Sequence, residues 1–321
     1  MSEENGTIVI NEFVFVGLTD NPALQTILFV LFLAVYITTL VGNIGIIALV
    51  RASPRLHTPM YFFLSGLSFL DVGCSSAITP KTMVNLLEDN KSISYIGCAM
   101  QIYFFTGLGS AECFLLAAMA YDRYVAICKP LLYPILMSPR LCILLIGGSY
   151  VLGLFHSLVH TIFAFRLSFS GSNRLNDFFC DFPALFSISS SDTYTNELLV
   201  FYVAGLVEII TIFMVLISYS CIFATIVRIR SAAGRLKAFS TCTSHLTTVT
   251  IFHGAILILH FRPKSSNGSS VQDVGDKILS VFYTIVTPLL NALIYSLRNK
   301  EVKDALGVLR RKMYNKMTRR W

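Results

Sequence analysis

The stretch MAYDRYVAICKP, from Met119 to Pro130, ends a long apolar run with an acid and a base side by side. Asp122 and Arg123 are followed at once by an aromatic residue, Tyr124. A charged pair inside lipid is costly and therefore rare. At the water boundary, such a pair is either an anchor for a membrane-spanning helix or a switch that faces a partner. The rest of the chain decides between these two interpretations.

Seven apolar segments are long enough to cross a bilayer. Hydrophobic residues make up 55% of the 321 residues and charged residues only 13%, whereas soluble globular chains carry about 25% charged residues. A hydrocarbon core of ~30 Å needs about 20 helical residues. The sequence therefore predicts an all-α membrane protein, a seven-transmembrane helix bundle. The predicted spans are Leu24–Val50, Pro59–Thr79, Cys98–Tyr121, Leu141–Phe163, Leu198–Val227, Thr241–His260 and Ile278–Leu297.

The positions of Lys and Arg predict the orientation of the bundle. Eighteen of the 25 fall in the 1–2, 3–4 and 5–6 connections and the C-terminal segment, and such residues concentrate on the cytoplasmic side. The N-terminus is therefore predicted to lie outside. Residues 1–23 form an extracellular tail, 24–297 the bundle, and 298–321 a cytoplasmic segment. The net charge of +7 is then a topology signal, and nucleic acid is not a predicted partner.

Both ends of the chain carry a further signal. After Arg298, apolar residues recur at helical spacing among cations, which predicts a short amphipathic helix on the inner leaflet. These residues are Val302, Ala305, Leu306, Leu309 and Met313. Residues 1–23 contain no Lys or Arg, so they lack the basic start of a cleaved signal peptide. Asn5-Gly6-Thr7 is a glycosylation sequon in this tail, and Asn5 is the predicted acceptor.

The cysteines predict one disulfide. Five of the eight lie in apolar runs, where a buried thiol behaves as a small hydrophobe. Cys128 is predicted to be cytoplasmic and reduced. Cys98, at the outer start of span three, and Cys180, in the long 4–5 loop, share the oxidising side. These two are therefore predicted to pair and to fold the loop over the mouth of the bundle.

An ordered set of motifs covers nearly the whole chain. The motifs are Gly42-Asn43, LHTPMYFFLS at Leu56–Ser65, LSFLD ending at Asp71, MAYDRYVAIC at Met119–Cys128, Ser218-Tyr219, KAFSTCTSHL at Lys237–Leu246 and PLLNALIYSLRNK at Pro288–Lys300. With them the chain resembles a class A (rhodopsin-like) G-protein-coupled receptor, and specifically an olfactory (odorant) receptor. The resemblance implies a multi-pass plasma-membrane receptor without enzymatic activity. It also implies a small-molecule odorant as ligand and, as partner, a stimulatory olfactory-type heterotrimeric G protein that raises cAMP.

The resemblance places the ligand pocket in the outer half of the bundle, under the long loop. The implied lining is Phe105, Thr106, Gly109, Ser110, Val203, Val207, His253, Ile256, Leu257, His260 and Thr284. This set is mainly apolar with a few hydroxyls and imidazoles, which is typical of a site for a small uncharged ligand. Amine receptors of the same class carry an Asp where this chain has Phe105, so a cationic amine would lack its counter-ion.

The resemblance also resolves the question raised by Asp122 and Arg123 in favour of the switch. Phe105 and Arg123 are eighteen residues apart, which is five helical turns at ~3.6 residues per turn, so they share one helix face. One rigid element thus connects the outer cavity to the inner surface. The residues implied at or near the inner switch are Asp122, Arg123, Tyr124, Tyr219, Lys237, His245 and Tyr295.

Two acids inside the predicted spans are candidates for function by default, since ionisable groups at depth are rare. Asp71 and Glu112 are expected to form a mid-bundle polar cluster with Asn291, by resemblance to the family. A sodium ion is the candidate occupant, and no other cofactor is predicted. The alternative is that both acids are protonated and hydrogen-bonded to their neighbours.

Other polar residues in the spans have no assigned role. Glu208 could touch ligand, pair with His253, or simply be protonated, and the sequence does not distinguish these alternatives. His156 and His160 lie four residues apart on one helix face and could bind a metal, but no third ligand is evident from the sequence. Packed, hydrogen-bonded histidines are therefore favoured, and no metal site is predicted.

The chain departs from the family pattern in several places. Ser170 and Ser190 stand where the long loop commonly holds two further cysteines, so the loop is expected to be looser. Ala292 replaces the usual proline of Asn-Pro-x-x-Tyr, with Pro288 one turn earlier as a partial substitute. His253 replaces a common tyrosine, and the usual span-four tryptophan is absent, with Tyr150 nearby.

Three other functions compete with the odorant receptor. A transporter predicts internal repeats and paired broken helices, which this sequence lacks. An intramembrane enzyme needs a converging nucleophile and base or a metal set, and none is evident. A class A receptor for a non-odorant small ligand remains the alternative.

Overall fold

Seven helices long and apolar enough to cross a membrane occupy the part of the chain that the computed structural model describes, which is residues 2–4, 7–9, 11–260, 270–298 and 301–308. The predicted seven spans are thus confirmed. Their bounds are α1 Pro22–Ala52, α2 Pro59–Leu87, α3 Tyr95–Cys128, α4 Pro139–Ala164, α5 Gly205–Arg228, α6 Ala232–His260 and α7 Ser270–Val281 with Thr287–Arg298. A short helix at 301–308, α8, follows.

Two of these helices contain a π-helical turn. Val200–Ala204 joins the short helix Tyr194–Leu199 to α5, so the span begins earlier than predicted. Phe282–Val286 joins the two parts of α7. Pro288 lacks an N–H and cannot donate to the carbonyl four residues earlier, and the wider π turn just before it accommodates that loss. The Thr287 hydroxyl donates to the Phe282 carbonyl at 3.2 Å and supports the turn.

Local sequence explains where the helices begin. Proline occupies the first helical position of α1, α2 and α4, where its missing N–H has no cost. The Asn21 side chain accepts hydrogen bonds from the Ala23 and Leu24 amides, at 3.0 and 3.3 Å. Ser94 caps α3 through the Gly97 amide at 3.0 Å, and Ser138 caps α4. These caps satisfy amides that the first turn of a helix leaves unpaired.

Close packing against the central α3 holds the bundle together. Large apolar side chains such as Ile27 and Phe213 lie exposed on the outside of the bundle, as expected where lipid is the solvent. Because lipid removes the hydrophobic drive for helix association, helices in membranes approach through small residues. Gly153 of α4 shows this, since a Cβ there would lie 2.5 Å from the carbonyl oxygen of Gly107 in α3.

A small β-sheet covers the end of the bundle that carries the N-terminal segment, called here the N-terminal face. Strand β3, Glu12–Phe15, pairs antiparallel with β4, Ser92–Ser94, and parallel with β5, Arg174–Leu175. A separate hairpin joins β1, Ser2–Glu4, to β2, Thr7–Val9. The predicted helical class is confirmed, since the fold is mostly helical. The short strands are an addition to it, and they have too few residues to show a two-residue alternation in the sequence.

The predicted disulfide between Cys98 and Cys180 is present and fixes the 4–5 loop to α3. Gln101 holds the same segment, because its Oε1 accepts from the Cys180 amide and its Nε2 donates to the Ala77 carbonyl, both at 2.9 Å. Phe13, Phe15 and Leu175 pack with the disulfide in a buried cluster. The loop is thus folded over the N-terminal face.

The two loop serines are joined to each other. The Ser170 hydroxyl donates to the Ser190 oxygen at 2.7 Å, and the Ser190 hydroxyl donates to the Ser168 carbonyl at 2.9 Å. The Ser170 amide also donates to the Ser190 hydroxyl, at 2.8 Å. Hydrogen bonds therefore link the positions where the family commonly has a second bridge.

Helix α8 packs against the opposite end of the bundle, called here the C-terminal face. Val302 and Ala305 are buried in the main core, while Leu306 is 47% exposed. The Tyr61 hydroxyl at the start of α2 donates to Glu301 at 2.7 Å. The structure thus shows a helix at 301–308 with one apolar face against the bundle, and Leu309 and Met313 lie outside the described residues.

Candidate functional site

Asp71, Glu112 and Asn291 come together at mid-bundle, as the sequence predicts. The Asn291 amide nitrogen donates to Asp71 Oδ1 and to Glu112 Oε1, each at 3.0 Å. All three side chains are at most 3% exposed. One amide group therefore links α2, α3 and α7 through two acids. The Asn291 Oδ1 atom finds no donor among the described residues.

Glu208 pairs with His253, which selects one of the three interpretations left open by the sequence. Glu208 Oε1 lies 2.8 Å from His253 Nδ1, and the Cys113 thiol donates to Glu208 Oε2 at 3.5 Å. The three residues come from α5, α6 and α3 and are each about 4% exposed. The His253 Nε2 atom has no hydrogen-bond partner in the described part of the chain. Glu208 of α5 is thus bonded to α6 and to α3, and the sequence does not show that these helices are neighbours.

The implied ligand residues of α3 lie beneath the 4–5 loop. The Phe105 ring contacts Phe179 of the loop and Tyr283 of α7, with ring centroids 5.8 and 5.6 Å apart. A Cβ on Gly109 would lie 3.0 Å from the Tyr283 hydroxyl, so the glycine makes room for that group. Thr106 is half-buried. Phe179 and Tyr283 therefore pack against implied pocket residues, although neither is predicted from the sequence.

Three polar residues of the implied pocket make hydrogen bonds within the bundle. The Ser110 oxygen lies 3.0 Å from His156 Nδ1. Thr284, fully buried, donates to the Ser280 carbonyl at 2.7 Å. His253 is paired with Glu208 through Nδ1. Apart from these residues, the implied lining is mainly apolar.

The implied pocket residues of α5 and α6 differ in how deeply they are buried in the bundle. Val207 and Ile256 pack against the main core, and Leu257 is half-buried. Val203 is 37% exposed and lies in the π-helical turn that precedes α5. Its implied contact with ligand stays a prediction. The side chain of His260 lies outside the described residues.

At the C-terminal face, Asp122 and Arg123 form a buried ion pair. Arg123 Nε donates to Asp122 Oδ2 at 3.0 Å, and Arg123 Nη2 also bonds to this oxygen. The Tyr133 hydroxyl, from the short helix Tyr133–Leu136 after α3, donates to Asp122 Oδ1 at 2.8 Å. Burial, and then the charge of Asp122, raise the pKa of Tyr133, so its hydroxyl keeps its proton. Both carboxylate oxygens are therefore occupied.

The other implied switch residues separate into two groups. Tyr219 of α5 bonds to His245 Nδ1 at 2.7 Å, and His245 Nε2 lies 3.2 Å from the Leu116 carbonyl of α3. Tyr295 is buried in the main core. Tyr124 instead lies beneath the Lys129 ammonium, which is 5.7 Å from its ring centroid. The side chain of Lys237 lies outside the described residues.

A groove opens between α5 and α6 beside the hydrogen bond from Tyr219 to His245. Its volume is about 510 Å³, and its lining is apolar except for a few hydroxyls and a thiol. Tyr219, Ile222 and Phe239 lie along it. The two helices are thus already separated near the C-terminal face.

The remaining polar side chains on α4 are packed among neighbours. His160 Nδ1 lies 2.8 Å from the His156 carbonyl, and the two rings are 4.3 Å apart. Tyr150 donates to the Gly66 carbonyl of α2 at 2.9 Å. The histidine pair is therefore bonded within the bundle, as the sequence favours, and Tyr150 ties α4 to α2.

Known proteins similar to this chain share one description. A family model described as olfactory receptor matches residues 32–314. Olfactory receptor 5T3 of Homo sapiens is 55% identical over 302 residues, which cover 94% of this chain and 88% of that protein. Olfactory receptor 5AR1 of Mus musculus is 53% identical over 309 residues, 96% of this chain and 98% of the relative.

Proposed function

The chain belongs to the olfactory receptor family, and from that premise we propose that it binds a small, uncharged volatile ligand and activates a stimulatory olfactory-type heterotrimeric G protein, raising cAMP. As a member of this family it is a multi-pass plasma-membrane receptor for odorants, and it is not an enzyme. The chemistry of the ligand, the type of G protein and the individual site residues form the proposal.

The lining of the implied pocket supports an uncharged ligand. Phe105, Phe179 and Tyr283 form an aromatic group under the 4–5 loop. Glu208, the acid that contacts the implied pocket residue His253, is held by His253 and Cys113. A charged ligand would have to break that arrangement or remain without a partner, and burying an unpaired charge is expensive. An apolar odorant neither breaks the hydrogen bonds of Glu208 nor buries an unpaired charge.

The connection through α3 carries the proposal for signalling. Phe105 contacts the loop at one end of this helix, and Arg123 lies about 27 Å away at a rise of ~1.5 Å per residue. At the Arg123 end, α6 is held to α3 and α5 by His245, while a groove separates α5 from α6. Moving α6 outward would break the His245 bonds and widen the groove. A ligand that favours this open arrangement shifts the population toward it.

The mid-bundle cluster is proposed to hold a sodium ion. Two carboxylates and an amide are oxygen donors of the kind that hard cations prefer, and the Asn291 Oδ1 atom is buried without a donor among the described residues. Asp71, Glu112 and Asn291 would hold the ion, which would compensate the charge of the acids. If so, sodium should raise the thermal unfolding midpoint of the purified receptor relative to choline. Glu112→Gln should abolish that difference, and Asp20→Asn, an exposed acid, should keep it.

The orientation with the N-terminus outside is part of the proposal. It is supported by the excess of Lys and Arg on the other side and by the disulfide on the N-terminal face, since disulfides form on the oxidising side. Asn5 lies outside the described residues. A glycosidase-sensitive mass shift that Asn5→Gln abolishes would support this orientation, and a chain never glycosylated at Asn5 would argue against it.

The proposed function is tested by measuring cAMP in cells that co-express the chain and an olfactory-type G protein, against a panel of small volatiles. A dose-dependent rise is expected for at least one uncharged volatile. Arg123→Ala, shown to be at the cell surface, should lose it. A response that persists in this variant would refute the assigned switch. A response confined to charged compounds would refute the assigned ligand class.

A further inference from the structure

We propose that Cys113, Glu208 and His253 form a binding site for a zinc ion that bridges α3, α5 and α6. One ligand atom from each residue, the thiol sulfur, a carboxylate oxygen and an imidazole nitrogen, lies within 4.8 Å of the other two. These three side chains are the one group of this kind found in the described residues. Their meeting is not visible in the sequence, because they are separated by 95 and 45 residues.

The spacing of the ligand atoms fits a tetrahedral zinc site. Zinc lies about 2.0–2.3 Å from nitrogen, oxygen and sulfur ligands, so neighbouring ligand atoms are roughly 3.3–3.7 Å apart. The Cys113 sulfur lies 3.5 Å from Glu208 Oε2, and His253 Nδ1 lies 2.8 Å from Glu208 Oε1. Side-chain shifts of roughly 1 Å therefore suffice to accept the ion. Three protein ligands leave a fourth position open.

Charge and ligand type together favour zinc over monovalent copper and over magnesium and calcium. A thiolate and a carboxylate balance the two positive charges of Zn²⁺, and neutral imidazole adds none, so the loaded site is neutral in a low-dielectric interior. A monovalent copper ion would leave a net negative charge, which is costly at this depth. Magnesium and calcium prefer all-oxygen ligands, whereas a thiol and an imidazole suit zinc.

Zinc binding is coupled to loss of a proton from Cys113. Without metal, the thiol donates a hydrogen bond to Glu208 Oε2. Binding converts the thiol to a thiolate, and the released proton leaves to solvent, since metal ligands must be deprotonated. The His253 nitrogen that binds the ion must likewise carry no proton.

The test is equilibrium zinc binding to the full chain in lipid nanodiscs, purified without a histidine tag and stripped with a chelator. We expect one zinc per chain and release of at least one proton per zinc, from the Cys113 thiol. Removing a residue that hydrogen-bonds to a metal ligand typically lowers metal affinity by about 10–100-fold. Removing a ligand itself should therefore lower zinc affinity by at least about 100-fold. Cys113→Ala, Glu208→Gln and His253→Phe should each show this loss.

Matched controls separate this site from other buried thiols and imidazoles. Cys74→Ala removes a buried thiol on α2, and His160→Phe removes a buried imidazole on α4. Both should bind zinc as the unmodified chain does. The thermal unfolding midpoint of each variant verifies that it is folded. Failure of the unmodified chain to bind zinc, or loss of binding in His160→Phe with retention in Glu208→Gln, would overturn the proposal.

Discussion

Gly153 of α4 lies so close to Ala111 of α3 that a Cβ on the glycine would stand 2.5 Å from the Ala111 backbone nitrogen. The atoms in the way are backbone, which cannot rotate aside as a side chain can. Gly153→Ala should therefore separate α3 from α4, and overpacking typically costs about 1–3 kcal/mol. The thermal unfolding midpoint of the purified receptor should fall clearly.

Gly148 provides the control on the same helix. A Cβ there would meet nothing within 4 Å, and alanine has a higher helix propensity than glycine by about 1 kcal/mol. Gly148→Ala should leave the midpoint unchanged or raise it. Equal losses in the two variants would mean that the helix contact at Gly153 is not the cause.

The bond from Tyr133 to Asp122 is expected to restrain basal signalling. Tyr133→Phe removes only the hydroxyl that donates to the carboxylate, and a hydrogen bond to a charged group contributes about 1.5–3 kcal/mol. If the bond is made in the resting arrangement alone, cAMP without ligand should rise. Because the pKa of Tyr133 is raised, the effect should not depend on pH near neutrality.

Tyr121→Phe is the matched control, because this half-buried tyrosine of α3 packs against Tyr124 and is not among the implied switch residues. Basal cAMP should be unchanged in this variant at equal surface expression. A Tyr133→Phe receptor with normal basal cAMP would show that the bond does not distinguish the resting arrangement from the open one.

Cysteines should be able to replace the serine pair in the 4–5 loop. The Ser170 and Ser190 oxygens are 2.7 Å apart, and closing a loop of this length by a disulfide is worth about 3 kcal/mol. The Ser170→Cys, Ser190→Cys double variant should unfold at a higher temperature than the unmodified chain. The gain should be absent in either single variant.

Glu208 and His253 should show strong coupling in their effects on stability. Removing one partner of a buried pair typically costs about 3–5 kcal/mol, whereas replacing both by apolar groups is often nearly neutral. Glu208→Leu and His253→Phe should each lower the unfolding midpoint substantially, and the double variant should lose much less than their sum. Additive losses would contradict a pairwise interaction.

The spans could be predicted from the sequence because bilayer thickness imposes a length and a composition on each of them. The Cys98–Cys180 bond followed from sidedness, and the Asp71–Glu112–Asn291 group followed from the family motifs. The pairing of Glu208 with His253 was one of three alternatives. Whether these two side chains meet depends on the rotation of α5 relative to α6, which the sequence of neither helix determines.

Other features escaped prediction for local reasons. The π-helical turn that contains Val203 was not predicted, because it has no distinctive residue pattern. The strands around β3 have two to four residues, too few for an alternating pattern. Tyr133 and Tyr283 stand out in no motif, and only their contacts with Asp122 and Gly109 give them a role.

The position of β3 between β4 and β5 sets the order in which the receptor can mature during biosynthesis. Phe15 pairs with Leu175, which is translated 160 residues later. At about 5–20 residues per second, the ribosome needs roughly 10–30 s to supply that partner. Until then β3 has an unpaired edge. Quality control in the secretory pathway therefore meets an open N-terminal segment in every nascent molecule, and a premature stop before Arg174 would leave it open permanently.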